Sequence, residues 1–206
     1  MKEGIFISYR REGSSTFAAI LYSELCKHFV SKNIFKDINT LKPGTNFKAE
    51  IEAALENSSV LLVLIDRNWS QLKNEKGIKR IFEENDFVRH EVKLAIEKNI
   101  EIIPVLFENG NMPSLKDLPK ILRPLTGKQA FTIHAETVTE DIKALIEVVK
   151  SKKKFFFDGG TITGAYERLI KDPVGTIKTG WKDQSERYKK DFLNLKGLIK
   201  SYKKKD

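Results

Sequence analysis

The chain has 206 residues, 40% of them hydrophobic and 32% charged, a soluble globular composition with enough apolar side chains for a core. No apolar run exceeds six residues, as in Val60–Ile65, far short of the roughly 20 a membrane-spanning helix needs, and Ser8-Tyr9-Arg10-Arg11 cuts off the first apolar stretch, Ile5-Phe6-Ile7, as no secretory signal core tolerates. The net charge of +9 is unevenly spread: residues 151–206 hold 15 Lys+Arg against 7 Asp+Glu, leaving 22 against 21 for residues 1–150. Basic character therefore belongs to the tail, so nucleic-acid binding is not expected of the main domain.

Ile5-Phe6-Ile7-Ser8-Tyr9 reads as a strand, and Ser15 to Val30 as a helix with Ala18, Leu21, Tyr22, Leu25 and Phe29 on one face. Asn33 to Asp37 reads as a short second strand, and Leu41-Lys42-Pro43-Gly44-Thr45 as a loop with Pro-Gly as its turn signal. Asn46 is placed to cap a helix whose face is Phe47, Ile51, Ala54 and Leu55. Ser59 to Ile65 is a near-continuous apolar run, the mark of a strand buried on both sides. After a polar stretch, Asp86 is placed to cap a helix carrying Phe87, Val88, Glu91, Val92, Ala95 and Ile96. Ile100–Phe107 reads as a fourth strand, 109–124 as loop, Gln129–Ile133 as a fifth strand and Val138–Val149 as a closing helix.

Five strands separated by helices predict an α/β fold on a central parallel sheet. Such sheets bind ligands outside the carboxyl ends of their strands, where the strand order reverses. The candidate site is built from the residues just past the strands: Ser8-Tyr9-Arg10-Arg11, Asp37 with its Pro-Gly loop, and Asp66 to Trp69. Both glycine-rich phosphate cradles, G-x-G-x-x-G and G-x-x-x-x-G-K-[ST], are absent, as is a G-x-S-x-G elbow. A single cysteine, Cys26, excludes an intrachain disulfide and reads as core packing, while scattered His28, His90 and His134 miss the usual zinc spacings. A cytoplasmic, metal-independent protein is expected.

Three segments in order carry a family resemblance. Phe6-Ile7-Ser8-Tyr9-Arg10-Arg11 resembles the first box of TIR domains, and Phe35-Lys36-Asp37-Ile38 with Leu41-Lys42-Pro43-Gly44 resembles their second box and BB loop. Asp86-Phe87-Val88-Arg89-His90-Glu91 resembles the start of the helix bearing the catalytic glutamate of NAD-cleaving TIR domains, and the match is closest to bacterial ones. The resemblance implies a flavodoxin-like five-stranded parallel sheet over residues 1–150, with 151–206 as a basic extension. It further implies an NAD+ glycohydrolase or ADP-ribose cyclase, in antiphage defence or signalling, with NAD+ as substrate and no cofactor.

On this reading Glu91 is catalytic. Ser8, Tyr9, Arg10, Arg11, Asp37, Trp69 and Phe87 are the substrate-binding candidates. Arg10 or Arg11 would meet a pyrophosphate or position Glu91, Tyr9 would stack or cap the core, and Trp69 would stack or pack. Many enzymatic TIR domains carry tryptophan where this chain has Phe87; phenylalanine packs on a ring but lacks the indole N–H. Leu41, Pro43, Gly44 and Phe47 form the BB-loop set, through which TIR domains self-associate. The competing reading is a non-catalytic adaptor working through TIR–TIR contacts. In the tail, Tyr188, Phe192, Leu195, Ile199 and Tyr202 at spacings of 4, 3, 4 and 3 predict an amphipathic helix that docks on a protomer or partner protein.

Overall fold

Alternation along the first strand sets the layering. Ile5 and Ile7 point to one side of the sheet and Phe6 to the other, and all three are buried, so each face must be covered. The computed structural model describes residues 4–36 and 47–152, and of Phe47 only the backbone. The elements run β1 (Gly4–Ser8), α1 (Arg11–Cys26), β2 (Ile34–Lys36), α2 (Phe47–Glu56), β3 (Ser58–Ile65), α3 (Phe87–Glu97), β4 (Glu101–Leu106), β5 (Phe131–Thr132) and α4 (Val138–Lys152).

The strands pair in parallel in the order β2-β1-β3-β4-β5, the flavodoxin-like arrangement. On one face Phe6, Leu61, Val63, Ile65 and Ile102 pack with Ile51 and Leu55 of α2 and Val88, Val92 and Ala95 of α3. Helices α1 and α4 contact each other and cover the opposite face. There Phe17 of α1 stacks on Phe107 beyond β4, ring centroids 4.4 Å apart. Emptying one of these fully buried leucine sites to alanine costs about 2–5 kcal/mol.

Pro104 lies inside a strand that has neighbours on both sides, where proline is usually excluded. Phe107 N–H reaches Ile65 O on β3, whereas Leu106 O accepts from Ile133 N–H on the β5 side. Alternation then turns Pro104 toward β5, whose pairing begins only at Val105↔Phe131. The missing N–H falls where no ladder bond is made.

Several boundaries differ from the pattern-based ones. Helix α1 starts four residues earlier than Ser15: Arg10 is extended, and Ser14 N–H already bonds Arg10 O. It stops at Cys26 because Lys27, His28 and Phe29 turn back onto Glu24 and Leu25. The fifth strand shrinks to Phe131–Thr132, and the stretch 109–124 contains the tight turn Leu115–Asp117 and most of a second, Lys120–Gly127, whose Leu122 and Leu125 are buried. Asp37, expected to end the second strand, and the expected Asn46 cap lie outside the described residues.

Candidate functional site

Because β1 is flanked by β2 and β3, the chain leaves β1 and β3 in diverging directions, and a crevice opens between their carboxyl ends. The residues after β1 and β3 meet there.

Arg10 follows the last β1 residues and is 1% exposed. Its Nη1 forms a buried ion pair with Asp86 Oδ2, and its Nε donates to Trp69 O at 3.2 Å. The guanidinium carbon lies 5.9 Å from the centre of the Trp69 ring. Asp86 is the N-cap of α3, its Oδ1 accepting from Arg89 N–H at 2.8 Å. Arg80 Nε stands 3.7 Å from Asp86 Oδ2, while Arg80 Nη1 pairs with Glu12 in the first turn of α1. Burial pushes the Glu12 carboxyl up, but its backbone hydrogen bond and the Arg80 contact outweigh that and hold it below the usual range. The side chain of Arg89 reaches back to Phe82 O. The start of α3 is thus tied to β1, α1 and the segment before it.

A second clasp closes the β3 end. Ser14 Oγ donates to Asp66 Oδ2 at 2.8 Å, and Asp66 Oδ1 accepts from Asn68 N–H at 2.7 Å. The Asp66 carboxylate lies against the first turn of α1, where the helix dipole favours negative charge. In doubly wound folds that position commonly receives a ligand phosphate; here the chain's own carboxylate fills it. Glu108, just past β4, has its carboxyl pushed up by burial and by the Asp66 charge, against the opposing pull of Arg67.

Glu91 is half-buried and lies one turn after Phe87, the first residue of α3, which is 46% exposed. Its neighbours Val88 and Val92 face the core, so Glu91 sits at the border between packed and open surface. Its helix neighbour His90 stands 3.5 Å from Glu52 of α2.

The sequence-derived set differs in exposure. Ser8, Arg10 and Trp69 are buried, Tyr9 is half-buried, and Arg11 and Phe87 are exposed. Trp69 packs in the core beneath Arg10, and Arg10 is paired with Asp86 rather than standing at the surface. Asp37, Leu41, Pro43 and Gly44 lie outside the described residues, as does the side chain of Phe47. A cleft of about 320 Å³ at the ends of β3 and β4 is lined by Asp66, Arg67, Trp69, Met112 and Asp117 among others; neither Phe87 nor Glu91 lines it. The sequence placed Asp66 among the site residues but gave no sign of its Ser14 clasp: the two are 52 positions apart, and no local signal joins them. Asp86 was legible as a cap but not as the partner of Arg10. No group of His, Cys, Asp and Glu suited to a metal ion occurs among the described residues.

This fold is an α/β domain of the doubly wound class with a clasped crevice at its switch point. The TIR-domain family model matches residues 5–146, more than half of the chain, and the chain belongs to that family. The NAD(+) hydrolase sarm1 of Drosophila melanogaster is 26% identical over 119 residues, covering 58% of this chain and 8% of the fly protein. Among solved structures, a metazoan TIR-STING receptor from C. gigas in complex with 2′,3′-cGAMP is similar at 20% identity and a TM-score of 0.44, covering 68% of this chain and 38% of its own. The TIR domains of the activated Roq1 resistosome are similar at 16% identity and a TM-score of 0.41, covering 82% and 98%.

Proposed function

We propose that the protein cleaves the bond between nicotinamide and ribose in NAD+, with Glu91 as its catalytic carboxylate. The observation that carries this reading is the pairing on α3: a half-buried Glu91 one turn beyond an exposed Phe87, on a helix whose start is locked to the strand-end box. Membership of the TIR family and the distant likeness to an NAD(+) hydrolase support it.

The chemistry needs little more. The nicotinamide ring of NAD+ is cationic, so when the C1′–N bond breaks the electron pair moves onto nitrogen and the base leaves neutral. No general acid has to protonate it. Positive charge grows on the ribose instead, and one preorganised carboxylate stabilises that charge and holds the sugar hydroxyls. Glycosidases, whose leaving groups need a proton, require two carboxyl groups. Water adding at C1′ gives ADP-ribose and releases a proton; a nucleophilic atom within the same molecule gives a cyclic isomer. Phe87 supplies a flat apolar face beside Glu91 for a ring of the substrate.

Of the expected substrate contacts, Tyr9, Arg11, Asp37 and Phe87 are assigned to direct binding. Ser8, Arg10 and Trp69 act from beneath by holding the site's shape. The BB-loop residues Leu41, Pro43, Gly44 and Phe47 join a neighbouring copy to complete the site, and the setting is bacterial, in the cytoplasm, as antiphage defence or signalling. Incubation with NAD+ while following free nicotinamide tests the reading. Release that requires the protein, with activity per molecule rising as its concentration rises, supports it, whereas none across a range of concentrations favours a non-catalytic adaptor.

A further inference from the structure

We infer that Asp86 is a positioning residue for this reaction: its charge, held between Arg10 and Arg80, fixes the start of α3 and with it Phe87 and Glu91. The inference rests on the reading of Glu91 given under the proposed function. Each Asp86 oxygen has a separate task. Oδ1 caps the helix through Arg89 N–H at 2.8 Å, and Oδ2 takes the Arg10 guanidinium, with Arg80 Nε 3.7 Å away. Capping alone needs no charge, because asparagine and serine cap about as well as aspartate. A buried carboxylate facing a buried guanidinium is a costly way to make a cap, since both ions lose their water. What the pair adds is a connection between elements. Arg10 stands at the β1 end, bonds the Trp69 carbonyl from the β3 side, and reaches the first residue before α3. Arg10 Nη2 has no hydrogen-bond partner among the described residues, so its orientation depends on Asp86 and Trp69 O. Glu91 follows Asp86 by little more than one helical turn, and a helix turn is stiff. A shift at Asp86 therefore carries to Glu91, and displacing a reacting group by about 1 Å costs on the order of 10² in rate.

Asp86→Asn keeps the cap and removes the charge. In the full-length chain we expect kcat for NAD+ cleavage to fall about 10- to 100-fold with KM nearly unchanged, at a temperature where circular dichroism shows a folded protein. Arg10→Met should lower kcat by a similar factor, and the double variant should lose no more than the worse single one. Val149→Ala, a core change in α4, controls for stability: with a comparable drop in melting temperature it should retain wild-type kcat. Arg10→Lys, which keeps the charge, replaces Arg10→Met if that variant does not fold. Active wild-type protein with an equally active Asp86→Asn, losses that multiply in the double variant, or an equal loss in Val149→Ala each overturn the positioning role while leaving Glu91 in place. If both Asp86→Asn and Arg10→Lys precipitate, the pair is a folding element and the inference fails. Wild-type protein that releases no nicotinamide removes the underlying reading, and this inference with it.

Discussion

Ser14 Oγ donates to Asp66 Oδ2 at 2.8 Å, joining the first turn of α1 to the end of β3 across the crevice. Gly13 makes room for it. A Cβ added there would stand 2.5 Å from Asp66 Oδ2, an oxygen that Ser14 and the short aspartate stem hold in place. Glycine inside a helix ordinarily costs about 0.5–1 kcal/mol relative to alanine. Gly13→Ala should nonetheless lower the melting temperature here, because the clasp must open. In an Asp66→Ala background the sign should reverse, with Gly13→Ala raising it by about 2–4 °C. A stabilising Gly13→Ala in the otherwise unchanged protein would show that the clasp yields freely.

Glu91→Gln preserves size and removes the charge, so it isolates the electrostatic role. Losing one preorganised group at a developing charge typically costs on the order of 10²–10³ in rate. The expected result is NAD+ cleavage reduced by at least that factor in a protein that circular dichroism shows to be folded. A folded Glu91→Gln protein with near wild-type turnover would remove Glu91 from the chemistry.

The sheet was legible because its strands are short apolar runs separated by helical patterns, and Ser59–Ile65 announced a strand buried on both sides. The N-cap at Asp86 was legible because capping is local. What pattern could not reach is long-range. Arg10 and Asp86 are 76 positions apart, and nothing in either neighbourhood says that one buries the charge of the other. Trp69 illustrates the same limit: its place just past β3 suits a stacking platform and a core residue equally. In the fold it shares a core cluster with Ile81, Leu118 and Leu122 and also lines the cleft at the ends of β3 and β4. The helix start was misplaced because Gly13 and Ser14 look like turn residues, whereas here glycine makes room for a carboxylate and Ser14 holds it.

Cys26, at the end of α1, has its thiol pushed up by burial, against a hydrogen bond with Tyr22 and the charge of Lys36. Because the neutral form is favoured in the fold, this group's contribution to stability is complete below the unfolded thiol pKa and is lost as pH rises through the folded one. Alkylation of the native protein should therefore inflect at higher pH than alkylation of the denatured chain, and at pH 8 the native thiol should react more slowly. An inflection at lower pH than in the denatured chain would mark Cys26 as an activated thiol and reverse its reading as a packing residue.

The boundary of the folded domain can be tested by truncation. The pattern placed it at Lys150, but α4 continues to Lys152, whose Nζ stands 3.2 Å from Glu101 at the start of β4. The chain divides into Met1–Lys153 and Lys154–Asp206, and the second unit lies outside the described residues. Helix α4 completes its buried face with Ile142, Leu145, Ile146 and Val149, all before that division. A chain ending at Lys153 should therefore be soluble and cooperatively folded. A stability change below about 1 kcal/mol would keep its melting temperature within about 2–4 °C of the full chain. The apolar seam from Tyr188 to Tyr202 is proposed to dock on another protomer or a partner protein, which predicts that removing it changes the oligomeric mass in sedimentation without unfolding the domain. A truncated chain that precipitates, or melts far lower as a monomer, would assign residues 154–206 to the core and end the docking idea.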